Sequence, residues 1–140
     1  MFQNDTCLTS VTIPSSVTSI GERAFNNCNG LTSVIIGNSV TRIGSYAFEN
    51  CSELSALNYN AANCTFDSNN GITGNTNITT LTIGENVETI PNGAFSGCSG
   101  LTTLNYNAIN CANFGNNNGL TGNTNITAIN IGENVSSIPA

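Results

Sequence analysis

The sequence has no histidine, lysine or tryptophan, and its only basic residues are Arg23 and Arg42. Charged residues make up 7%, against about 25% in an ordinary soluble domain. Each absence excludes something. Without histidine, no Ser-His or Cys-His nucleophile pair can form. Two cations and a net charge of −6 cannot neutralise phosphates, which excludes a nucleic-acid partner. The same balance gives no attraction to an anionic membrane surface. No apolar run reaches the ~20 residues that cross a bilayer, so no membrane insertion is expected in this segment. The opening MFQNDTC has neither the basic segment nor the apolar stretch of a signal peptide.

What is present is periodic. LTSVTIPSSVTSIGERAFNNCNG from Leu8 returns as LTSVIIGNSVTRIGSYAFENCSE from Leu31 and as ITTLTIGENVETIPNGAFSGCSG from Ile78. Frames can be written from Leu8, Leu31, Leu54, Ile78, Leu101 and Ile126, spaced 23, 23, 24, 23 and 25 residues apart. A period this short cannot bury an apolar face within one unit, so units must stack into a solenoid. The expected organisation is a single solenoid over 1–140. It has a partial repeat at 1–7, repeats from 8, 31, 54, 78 and 101, and a partial repeat at 126–140. Phe2 stands six residues before Leu8, as Phe25 does before Leu31, and SSIPA breaks off where SIGERAF would continue. The chain therefore reads as a piece of a longer protein.

Each frame opens with apolar residues at offsets 0, 3 and 5, as in Leu8, Val11 and Ile13. The last two of these have the strand period of two. A short strand is expected, with Val11 and Ile13 inward and Ser10 and Thr12 outward. A turn of the IPSS, IGNS or IGEN kind follows, then a short extended segment such as VTSI. The GERAF, GSYAF and NGAF stretches are too short for an α-helix and are expected to form a single 3₁₀ or helical turn. Two frames carry instead LNYNAANCTFDSNNGITGNTN and LNYNAINCANFGNNNGLTGNTN. There Tyr59 and Tyr106 take the last inward strand slot, Phe66 takes that of Ile20, and Ile72 and Leu120 fall near that of Phe25. The extra residues are expected to bulge outward in Asn/Gly-rich loops.

The six cysteines fit the same register. Cys28, Cys51 and Cys98 share one repeat position, Cys64 and Cys111 another, and Cys7 lies in the broken first unit. Stacked positions lie about one rung, ~4.8 Å, apart, with parallel rather than convergent Cβ vectors. Free buried thiols are expected, and a ladder does not converge on zinc. Asp67-Ser68-Asn69-Asn70-Gly71 has Ile72 where a calcium loop needs glycine and no glutamate at the twelfth position. No metal or cofactor is expected. Glu85 and Glu133 sit in matching IGEN turns two rungs apart, roughly 9–10 Å. That is the far limit for an inverting glycosidase pair, and neither has a reason for a raised pKa. The reading is not an enzyme.

The pattern L-x-x-V-x-I-P-x-x-V-x-x-I-x-x-x-A-F-x-x-C, carried by Leu8–Ile36, Ile43–Cys51 and Ile78–Leu104, resembles the BspA-like, or Treponema pallidum type, leucine-rich repeat. The resemblance implies a right-handed leucine-rich-repeat superhelix. A short parallel β-sheet would form one face, with turns, short extended segments and 3₁₀ or helical turns on the other. It also implies a cell-surface or secreted protein of a host-associated microbe, with adhesion to host or matrix components. It carries no catalytic residues.

The candidate ligand platform is the outward strand face: Ser10, Thr12, Ser33, Ile35, Asn58, Thr80, Thr82, Thr103, Asn105 and Asn130, with Ala56 and Ala128 between them. It suits an unidentified protein or glycan ligand. The alternative is a structural spacer in a larger surface protein with no ligand of its own. Uncapped ends also allow end-to-end self-association.

Overall fold

The first residues of each frame alternate between apolar and small polar side chains, and they form the strands of the principal sheet. The structure is a computed structural model and describes residues 2–67, 72, 74–112, 120 and 122–139. The strands are β1 Ser10–Thr12, β2 Ser19–Ile20, β3 Ser33–Ile36, β4 Arg42–Ile43, β5 Ala56–Tyr59, β6 Thr65–Phe66, β7 Thr80–Ile83, β8 Thr103–Tyr106 and β9 Ala128–Ile131. They form a six-stranded sheet in the order β1-β3-β5-β7-β8-β9 and a three-stranded sheet in the order β2-β4-β6. Every pairing is parallel. The order skips β2, β4 and β6 because each lies on the opposite wall of its own coil.

The register stacks like positions. Val11 pairs with Val34, Val34 with Leu57, Leu57 with Leu81, Leu81 with Leu104 and Leu104 with Ile129. Ile20, Ile43 and Phe66 form the matching column on the second sheet. Tyr59 pairs with Ile36 and Tyr106 with Ile83, so both tyrosines occupy the last inward strand slot. The core is one continuous apolar cluster between the walls, with Leu31, Val34, Ile36, Val40, Ile43, Leu54, Leu57, Ile83 and Leu101 all but fully buried.

The arc that carries AF differs from expectation. It is a string of separate turns, with no 3₁₀ or helical turn among the described residues. In the first full coil Ala24, Asn26 and Cys28 donate backwards to the carbonyls of Gly21, Arg23 and Phe25. The intervening Arg23, Phe25 and Asn27 donate instead to Ser45, Ala47 and Glu49 of the next coil. Arg23 and Asn27 have φ of 52° and 60°, which interrupts any helical run. Half of the amides are thereby turned outward into intercoil bonds. Phe2, Phe25 and Phe48 stack along this arc with centroids 5.5 and 5.2 Å apart and planes within 1° and 8°. The added residues of the variant coils fall largely on 68–71, 73, 113–119 and 121, outside the described residues.

The positive φ recurs coil after coil, at Asn4, Asn27, Asn50, Gly74, Gly97 and Gly122. Gly97→Ala is therefore expected to destabilise the protein by roughly 1–2 kcal/mol through left-handed strain. Its new Cβ meets only ordinary contacts, the nearest at 3.6 Å. Gly21→Ala, where φ is not in that region and no atom lies within 4 Å, should be neutral or stabilising by about 0.4–1 kcal/mol. Urea unfolding of both variants reads the contrast, and equal effects would dismiss the strain argument.

Candidate ligand-binding face

The outward positions of the six-stranded sheet form two parallel rows. One runs Ser10, Ser33, Ala56, Thr80, Thr103, Ala128, and the other Thr12, Ile35, Asn58, Thr82, Asn105, Asn130. The pleat puts them on one face because inward and outward residues alternate. Ser10, Thr12, Ile35, Ala128 and Asn130 are exposed, and the remaining seven are half-buried. None is charged. Along the second row Asn130 Nδ2 donates to Asn105 Oδ1 at 2.8 Å, and Asn105 Nδ2 donates to Thr82 Oγ1 at 3.1 Å. This chain holds the amides in fixed orientations before any ligand arrives. Ile35, at 38% exposure, is the apolar point in the row.

A second polar column went unnoticed in the sequence. At the residue before each strand, the hydroxyls of Thr32, Ser55, Thr79, Thr102 and Thr127 each donate to the main-chain carbonyl one coil back. The signal was there: Thr or Ser follows the opening Leu or Ile in every frame. Asparagines do similar work elsewhere. Asn27 and Asn50 donate to the side-chain oxygens of Asn4 and Asn27, both at 2.9 Å. Asn77 and Asn125 donate to the carbonyls of Ser52 and Ser99. Buried Asn26 donates to Glu49 Oε2 at 2.8 Å. A polar hollow of about 340 Å³ lies between Asn38, Glu85, Glu88 and Asn110, and its Glu88 carboxylate accepts from Asn63 at 2.6 Å.

The other sequence candidates are dispersed. Glu85 and Glu133 are both exposed. Asp67 is gripped by Arg42 through two bonds of 3.0 and 2.6 Å, while Ser68–Gly71 of the same stretch lie outside the described residues. No group of three or more Cys, Asp or Glu among the described residues is placed to hold a metal. No helix is long and apolar enough to cross a membrane among them.

None of the six cysteines is in a disulfide; Cys7 is exposed and the other five are buried. Burial away from water pushes the Cys51 thiol up to about 12, and the Cys28 sulfur beside it adds to the shift. Burial likewise raises Cys64 and Cys98 to about 11, and Cys28 moves in the same direction. Cys51 Sγ and Cys28 Sγ donate to the carbonyls of Phe25 and Phe2, at 3.2 and 3.0 Å. In the variant coils a tyrosine hydroxyl meets the thiol. Burial raises Tyr59, with Cys64 contributing, and lifts Tyr106 to about 12, with Cys111 contributing. The Tyr59 hydroxyl is buried and has no nitrogen or oxygen partner.

These features define a class, a parallel-strand solenoid of stacked repeat coils with a polar sheet face. The chain belongs to the BspA type leucine rich repeat region family, whose pattern matches residues 1–120 and 73–140 in six copies. That family is built on a binding-repeat fold that is generally non-enzymatic. Among solved structures the chain is similar to the Treponema pallidum leucine rich repeat protein, with TM-score 0.66 and 22% identity over 99% of this chain and 60% of that one. It is similar to the pneumococcal vaccine antigen PcpA, with TM-score 0.62 and 17% identity over 98% of this chain and 38% of that one. A leucine-rich repeat protein from Bacteroides ovatus follows at TM-score 0.53 and 20% identity, covering 98% of this chain and 41% of that one. The chain thus spans 60% or less of the length of these proteins. No curated protein sequence matches it.

The thiols give a test. A water-soluble disulfide reagent should modify one cysteine, Cys7, in the native protein and six after unfolding. Prompt modification of a second thiol in the native state would contradict the burial. Because the folded values lie above the ordinary 9.0, the buried thiols stabilise the fold fully below about pH 9. That contribution should fall as pH rises towards 11–12. The slope should shrink in a Cys51→Ala, Cys98→Ala variant.

Proposed function

We propose that this chain is a cell-surface or secreted binding module, and that the outward sheet face is where it meets a protein or glycan. One observation carries the reading: two rows of uncharged side chains, small except for Ile35, one with its amides already locked by the Asn130–Asn105–Thr82 chain. Preoriented groups lose little freedom on binding. The face lacks the exposed Trp, Tyr and Arg anchors that make small footprints tight. Its affinity therefore comes from many rungs engaged together, as in adhesion to an extended matrix surface. The extracellular setting is supported by the family and by its likeness to a vaccine antigen.

The test is a binding screen of the folded chain against matrix proteins and a glycan array. Thr82→Trp and Asn105→Trp place bulk on the face without touching the core. Each should weaken any interaction found by about tenfold or more while circular dichroism shows the protein still folded. Absence of binding at high concentration, by this chain and by a longer stretch of the protein, would sink adhesion in favour of a spacer. Binding untouched by both substitutions would move the site elsewhere.

A further inference from the structure

The asparagines at the left-handed corner form an amide ladder that stops in the middle of the stack. Asn27 Nδ2 donates to Asn4 Oδ1 and Asn50 Nδ2 donates to Asn27 Oδ1, both at 2.9 Å. The next coil keeps the corner but drops the side chain. Gly74 is also left-handed, with φ of 79° against 58° at Asn50. Its N–H donates to Ser96 of the following coil, as that of Asn27 donates to Glu49. No atom lies within 4 Å of where a Cβ on Gly74 would stand. A hollow of about 200 Å³ opens there, lined by Asn50, Ser52, Gly74, Asn75, Thr76 and Asn77. It exists because the corner column changes from Asn to Gly at this rung.

The lining is selective in its chemistry. Asn75 and Asn77 donate through Nδ2 to the carbonyls of Ile72 and Ser52, as Asn50 does to Asn27. All three amides are held by their nitrogens, and no described residue donates to their Oδ1 atoms. The hollow thus offers uncharged carbonyl-type acceptors, with the hydroxyls of Ser52 and Thr76 beside them. An amide N–H is what the ladder itself places on such an oxygen at the two earlier rungs. The space exceeds an amide alone, since 200 Å³ is the share of roughly six or seven liquid waters. We infer that this hollow is a subsite for an N-acetylated sugar residue. Its acetamido N–H takes the next rung of the ladder on Asn50 Oδ1, and its ring hydroxyls meet Ser52, Asn75, Thr76 and Asn77. None of the lining residues belongs to a strand, so the subsite stands apart from the outward sheet face and does not depend on it. No aromatic ring lines it, so selectivity rests on the acetamido group.

Titration of the isotope-labelled protein with di-N-acetylchitobiose, followed by NMR, tests this. Saturable shifts are expected at Asn50, Ser52, Gly74, Asn75, Thr76 and Asn77. Cellobiose carries hydroxyls in place of both acetamido groups and should bind about tenfold more weakly or worse. N-methylacetamide carries the amide without the ring and should be weaker by about the same factor. Gly74→Asn puts the ladder's own side chain into the hollow, at a corner where asparagine stands in three other coils. It should fold and lower the sugar affinity about tenfold or more. Asn50→Gly keeps the corner, removes the acceptor and should cause a similar loss, and it carries the test if Gly74→Asn does not fold. Circular dichroism checks the fold of each variant. No saturable shift up to the solubility of the sugar overturns the proposal. So do equal affinities for cellobiose or N-methylacetamide, shifts confined to the sheet face, or a folded variant that binds as tightly as the parent.

Discussion

Every coil must return the chain to the same place one rung higher, and a backbone residue in the left-handed region makes that return possible. Asn4, Asn27, Asn50, Gly74, Gly97 and Gly122 have φ between 58° and 81°, one in each successive coil. Only glycine and, at some cost, asparagine adopt this conformation readily, which is why the position holds Asn in the first three coils and Gly in the next three. A second left-handed column at Arg23, Tyr46 and Gly93 shows the same demand met less comfortably. Arg23 and Tyr46 are not natural left-handed residues, and the Arg23 guanidinium lies 5.2 Å from the Tyr46 ring centre, a favourable contact that offsets part of the strain. Once both corners are set, alternate amides on that arc face the next coil and bond to it. Stacking, parallel pairing and core columns follow from the same return.

The variant coils show how this constraint tolerates change inside. Where the standard coils place Ile36 or Ile83, the variants place Tyr59 and Tyr106. In exchange, the Phe slot shrinks to Ile72 and Leu120, while Phe66 replaces Ile43. Bulk has moved across the interior without a net loss. The Tyr59 ring fills the vacated space and meets Phe66 and Phe95 edge-on, with centroids 6.3 and 5.4 Å apart. Such volume-conserving exchange is the kind a core accepts most readily. Its cost is a phenol placed in an apolar interior, with a thiol as its neighbour.

The strands, their register and the inward columns were legible in the sequence because they depend on a period. Leu8, Leu31, Leu54, Ile78, Leu101 and Ile126 mark it, and Tyr59 and Phe66 could be assigned by counting from them. The form of the AF arc was not legible. A helical turn and a string of single turns draw on the same small residues, and they differ in whether alternate amides bond inward or to the next coil. That choice rests on φ at Arg23 and Tyr46, which their residue types argue against. The outward face was readable as a set of residues but not as a network. Whether Asn105 turns its amide towards Thr82 depends on rotamers fixed by neighbouring coils.

The scarcity of charge has the same root. In a solenoid of near-identical coils, a residue at a recurring position stacks on copies of itself one rung away. Two like charges so close repel by about 1 kcal/mol in water, and by more near a protein surface. A charged side chain repeated down a column would repeat that cost at every rung. An amide or a hydroxyl gains from the same arrangement, because each donates to one neighbour and accepts from the other. Four of the charges that remain meet an opposite charge or an amide across a rung: Arg42 pairs with Asp67, Glu49 with Asn26 and Glu88 with Asn63. A neutral, hydroxyl- and amide-rich surface is thus what self-stacking leaves available. Recognition on such a face must come from the spacing and orientation of neutral groups rather than from electrostatic attraction.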